Sequence, residues 1–165
     1  MSIDTLLSIF DNLEKLHKSL LRIANDKAAC IKDGDLDGMN QLLKDEQAHL
    51  AAIVQLEQDR QQAVIAYLEG HGCPLPNNPT MTTIIEATPE PDKKQLEEAK
   101  DRLLHVIHEL KWQNDLNQKL TYQSLQFVNL SLDMVRPRPE SATYSKTEIS
   151  GQKETKDLPT FDSQA

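Results

Sequence analysis

Several things are scarce in this 165-residue chain, and each scarcity excludes something. There are only two cysteines, Cys30 and Cys73, far apart and with no CxxC, so neither a disulfide framework nor a zinc ribbon is implied. No apolar run approaches the roughly 18 residues of a membrane span. Aromatic residues make up 4% of the chain and apolar residues 38%, low for a compact globule and a first sign of elongation or of disordered parts. Positive charge is short as well: 18 Lys+Arg stand against 26 Asp+Glu, a net charge of −8. That balance argues against nucleic acid or an anionic membrane as a partner, because both require clustered Lys/Arg. The start, Met1-Ser2-Ile3-Asp4, lacks the basic region of a signal peptide, so a cytosolic location is expected.

What is present is long amphipathic helix. All eight prolines lie at 74–91, 137–139 or 159, and four of the five glycines at 34, 38, 70 and 72, which leaves the stretches between them free to be helical. The first helix is predicted over about 3–32, where Leu6, Phe10, Leu13, Leu16, Leu20, Ile23, Lys27 and Ile31 recur at spacings of three or four. Gly34 follows its end, where a left-handed residue is often needed. The second is predicted over about 36–69, with Asp35 as N-cap and the stripe Leu36, Met39, Leu43, Glu46, Leu50, Ile53, Glu57, Arg60, Val64, Tyr67 and Leu68. The short link forces these two helices antiparallel. Residues 70–91 form a proline-rich connector with room for a helical turn or two over Thr80–Ala87. The third helix spans about 92–135, until Arg136-Pro137 stops it.

At about 1.5 Å per residue the three helices measure roughly 45, 50 and 65 Å. The expected fold is all-α: an elongated antiparallel three-helix, coiled-coil-like bundle with a long third helix. Helical residues then occupy a domain over 1–139, and the Ser/Thr/Glu/Lys/Asp-rich stretch 140–165 reads as a flexible C-terminal tail.

The third helix carries two stripes. Leu96, Ala99, Leu103, Val106, Ile107 and Leu110 form one, which turns polar through Asn114, Asn117, Thr121 and Ser124 and apolar again at Leu125, Val128, Leu132 and Val135. A second, centred about 120° away, consists of Trp112, Leu116, Leu120, Phe127, Leu130 and Met134. A helix of ~65 Å overhangs neighbours of ~45–50 Å, so part of its doubly apolar half should lack cover from its own chain. An uncovered stripe of this kind suits a partner's amphipathic helix. The alternative is a self-associating structural coiled-coil adaptor with no client, in which a homodimer covers the stripe.

No enzyme chemistry is expected. His105 and His108 sit at i, i+3 beside Glu109, yet a di-iron bundle needs Glu-x-x-His pairs, and Arg102 occupies the position three before His105. His71-Gly72-Cys73 has no second ligand pair for zinc. His17 and His49 lie near apolar faces and read as interhelical hydrogen-bonding groups. The chain contains no GxxxxGK[ST], GxGxxG or GxSxG, and neither a cofactor nor a metal is implied.

Three stretches resemble the FlgN-type flagellar export chaperones. Leu56-Glu57-Gln58-Asp59-Arg60 is similar to that family's LE-x-x-R. Asn114-Asp115-Leu116-Asn117-Gln118-Lys119-Leu120, followed by Ser124 to Val135 and Pro137, is similar to its Asn- and Leu-rich stretch leading to an apolar run and a proline. Ala142-Thr143-Tyr144, with Gly151 beyond, is like its terminal T-x-Y or T-Y, although Ser145 stands where the family often has glycine. The likeness covers roughly residues 3–151. It implies a small cytosolic chaperone of flagellar type III secretion whose clients are the hook–filament junction proteins FlgK and FlgL, bound through their C-terminal helical segments. Leu116, Leu120, Phe127, Leu130 and Met134 would then meet the client. Tyr144 would dock on the export gate, the cytoplasmic domain of FlhA.

Overall fold

A computed structural model describes residues 3–72 and 80–136. Four helices account for nearly all of them: α1 (Ile3–Asp33), α2 (Leu36–Gly70), α3 (Met81–Ala87) and α4 (Asp92–Val135). The all-α fold read from periodicity is present, with no strand among the described residues. The tail beyond 136, with Tyr144, and Cys73 in the connector lie outside them.

The turn between α1 and α2 works as the sequence suggests. Gly34 adopts φ +70°, a left-handed conformation that strains residues carrying a Cβ, and the Asp35 N–H returns to the Cys30 carbonyl at 3.0 Å. The Asp35 carboxylate then caps α2 by accepting from the Gly38 N–H at 2.9 Å.

α1 is the central element. α4 runs parallel to it, with Arg102 beside Asp11 and Glu14 and Asn117 beside Ala24, while α2 runs antiparallel to both. No Cα of α2 comes within 8 Å of one in α4. α3 explains part of that separation. Too short to be stable alone, it is started by a Thr80–Thr83 capping box and presses the buried Ile84 and Ile85 into the end of the bundle. The buried Thr88 hydroxyl donates to the Ile84 carbonyl at 2.7 Å and lies 3.2 Å from the Tyr67 hydroxyl.

The apolar core is consequently one-sided. It joins Leu6, Phe10 and Leu13 of α1 to Val64, Tyr67 and Leu68 of α2, the two isoleucines of α3, and Leu96, Ala99 and Leu103 of α4. Toward the α1–α2 turn Leu20, Ile23, Ala24 and Ala28 of α1 stay buried, and polar contacts between helices join them. Lys27 and Glu46, the charged interruptions in the α1 and α2 stripes, meet at 2.7 Å. His49 bonds Ser19 across the same pair of helices at 2.7 Å, as its position suggested, whereas the His17 ring bonds the Leu13 carbonyl within its own helix. The α2 stripe is not a buried face along its whole length: Leu36, Leu43 and Leu50 are exposed because α4 stands too far off to cover them.

Candidate functional site

The face that stands out is the C-terminal half of α4, and its position follows from helix length. α4 has 44 residues, α1 31 and α2 35. The α1–α2 turn reaches α4 at the level of Leu120–Val128, where Ile31, Lys32, Asp33 and Gly34 share a cleft with Leu120, Gln123, Ser124, Phe127 and Val128. The last turns of α4 therefore project beyond the turn with no helix beside them.

Their side chains are apolar on two faces. Phe127, Leu130 and Met134 are 72%, 64% and 87% exposed, and on the other face Leu125, Val128, Leu132 and Val135 are exposed too. Between Leu120 and Val135 the single charged residue is Asp133, paired with Arg136 at 3.6 Å. A long, nearly uncharged apolar surface costs solubility unless something covers it, and depletion of charge marks the centre of protein interfaces.

The five residues expected to meet a client do not form one uniform surface. Phe127, Leu130 and Met134 lie open, but Leu116 and Leu120 are half-buried along the flank of α1. Trp112, on the same flank, is exposed above a cleft lined by Leu21, Asn25, His105, His108 and Glu109. His105 lies 3.5 Å from Glu109 on an exposed helix face, and no group of three metal-binding side chains occurs among the described residues.

Two features escaped the sequence reading. Arg102 is a clamp between α4 and α1: its Nε donates to Glu14 at 3.0 Å and its Nη2 to Asp11 at 3.0 Å. Lys18 approaches the other Glu14 oxygen at 2.6 Å, and these hydrogen bonds, Lys18 first and Arg102 after it, lower the Glu14 carboxyl below its ordinary value of 4.5 against the opposing effect of burial. The other is a buried amide pair, Gln113 and Asn117, in the α1–α4 seam. Its signal was available, since Leu103, Val106 and Leu110 continue at spacings of three and four to 113 and 117.

A family model described as "FlgN: FlgN protein" matches residues 1–149. The chain belongs to the FlgN family. It is thus a flagellar export chaperone in general role. It is also 31% identical over 165 residues to a Bacillus subtilis (strain 168) protein named "Uncharacterized protein YvyG", with the whole of both chains covered. No solved structure matches it. Within this FlgN-family chain the Leu56–Arg60 stretch is a structural element of α2, where Arg60 is mostly buried and bonds Glu57 at 2.7 Å. No helix among the described residues is long and apolar enough to cross a membrane.

Proposed function

We propose that this chain is a non-enzymatic, cytoplasmic chaperone of flagellar type III secretion that receives the C-terminal helical segments of FlgK and FlgL on the back half of α4. The exposed apolar face that runs from Phe127, at the edge of the α1–α2 turn, to Leu130 and Met134 beyond it carries the reading. A client's amphipathic helix laid on this face would remove both apolar surfaces from water and keep the client from assembling prematurely. At about 25 cal/mol per Å² of apolar area, a few such side chains supply enough gross energy for micromolar binding after ordering costs. The same reading assigns Tyr144 to docking on the cytoplasmic domain of FlhA.

Calorimetric titration with a FlgK C-terminal peptide, and a FlgL peptide alongside, tests this directly. Saturable 1:1 binding is expected, lost in Phe127→Asp/Met134→Asp with helical circular dichroism unchanged. These two positions are cleaner probes than Leu120, which α1 half covers. Tyr144→Ala should spare client binding and weaken FlhA docking. Absence of binding to either peptide, with dimers that dissociate on dilution, would move the assignment to the self-associating adaptor.

A further inference from the structure

The seam between α1 and α4 changes character at Gln113. Before it, Leu96, Ala99, Leu103 and Val106 are buried apolar residues, and Arg102 adds its clamp to Glu14 and Asp11. From Gln113 onward the same register presents Gln113, Asn117, Leu120 and Ser124 to α1, so that polar residues interrupt the apolar seam and Leu120 is only half buried. Gln113 and Asn117 are only 6% and 7% exposed. The Gln113 Nε2 donates to Asn117 Oδ1 at 3.0 Å, and Asn117 Nδ2 donates to the Ala24 carbonyl at 2.7 Å. The layer is satisfied while closed: no buried side-chain N or O among the described residues lacks a partner.

A layer of this kind defines register but holds weakly. Apolar residues pulled from a seam lose their full transfer energy, whereas amides regain their hydrogen bonds from water. The surroundings hold less tightly than the clustered core, which lies at the other end of the molecule: α1 buries Leu20, Ile23 and the small Ala24 and Ala28 here, and meets α2 through Lys27–Glu46 and Ser19–His49.

We infer that the Gln113–Asn117 layer is a parting line, at which α4 from residue 113 onward swings away from α1 as a unit while residues 92–110 stay locked in the core. Parting uncovers Leu116 and Leu120, which the closed form half buries, and joins them to Phe127, Leu130 and Met134 in one continuous stripe. In the export-chaperone reading the opening sets how much of that stripe a client meets. That consequence rests on the proposed function; the parting itself does not.

Hydrogen exchange on the full chain without client tests it, read by mass spectrometry at neutral pH. Amides of 113–124 should share one level of protection and exchange on the order of 100-fold faster than those of 96–107, as expected of a subglobal opening. Gln113→Leu/Asn117→Leu, which continues the apolar seam, should narrow that gap by about tenfold or more, and Asn117→Ala should widen it. Equal protection of the two segments overturns the inference, as does a smooth gradient from the C-terminal end (fraying) or a gap that neither variant moves. If exchange behaves as expected and no FlgK or FlgL peptide binds, the proposed function fails and the parting line stands.

Discussion

Ile84→Ala and Leu130→Ala remove similar numbers of carbons from two helices, and should differ severalfold in cost. Ile84 is fully buried where α3 plugs the end of the bundle. Truncating such a residue to alanine costs about 2–5 kcal/mol, transfer and cavity terms together. α3 is short enough to settle partly into the space, so the lower part of that range, about 2–3 kcal/mol, is expected. Leu130 is 64% exposed, so roughly a third of its area is out of water. Full burial of a leucine contributes about 1.5–3 kcal/mol, a third of that is about 0.5–1, and no cavity is left because solvent fills the site. Alanine's slightly better helix propensity trims the cost further. Urea denaturation followed by circular dichroism, at two protein concentrations a hundredfold apart, reads both numbers from the midpoints. Comparable costs at both concentrations would refute the argument and make the α4 face part of the internal core. A cost for Leu130→Ala that appears only in the concentrated sample would show the face buried between two copies, and so favour the homodimer.

Two further outcomes follow from titratable groups. The folded-state value of Glu14 is depressed, so its contribution is fully present above the ordinary 4.5 and is lost as pH falls below it. Glu14→Gln should therefore cost up to about 1 kcal/mol at neutral pH, a modest figure because Lys18 and Arg102 are half exposed, and should flatten the acid limb of stability. Identical pH dependence of the urea midpoint in the two proteins would contradict this. Burial, and then the carboxylates of Asp35, Asp33 and Asp26, push the Cys30 thiol above 9.0. In a Cys73→Ser background a thiol reagent should label Cys30 more slowly at neutral pH than a free cysteine, since the thiolate is the reacting form. Labelling at the free-cysteine rate would show that neither burial nor the carboxylates govern it.

Much of the architecture is legible in the chain because helix signals are local. The end of α1, the start of α2 and the end of α4 follow from Gly34, Asp35 and Pro137, each acting through backbone conformation, a side-chain cap or a missing N–H within a few residues, whereas α2 runs through Gly70 to a cap at His71 and its left-handed glycine is Gly72. That α4 outruns its neighbours also follows from sequence, through helix lengths; that its C-terminal turns are the bare ones depends on its register against α1, set where Arg102 meets Glu14 and Asn117 meets Ala24. Charged residues inside apolar stripes were harder to interpret. Lys27 and Glu46 look like faults in separate helices until the fold sets them 2.7 Å apart. Arg102 likewise gains its meaning from Glu14, 88 residues earlier.

By itself, then, the sequence determined three long helices, their order, the antiparallel α1–α2 pair and a last helix too long for its neighbours, and left room for a helical turn or two at α3, because period, caps and breakers act over one or two turns. Tertiary structure alone decided which stretches of each stripe are covered. α1 became central, α3 wedged one end, and α2 and α4 were held far enough apart to leave Leu36, Leu43 and Leu50 in water. It also divided one apolar stripe into half-buried Leu116 and Leu120 and open Phe127, Leu130 and Met134. The physical reason is that periodicity states only which residues share a helix face; whether that face is buried depends on the distance and rotation of another helix, set by packing among residues remote in the chain.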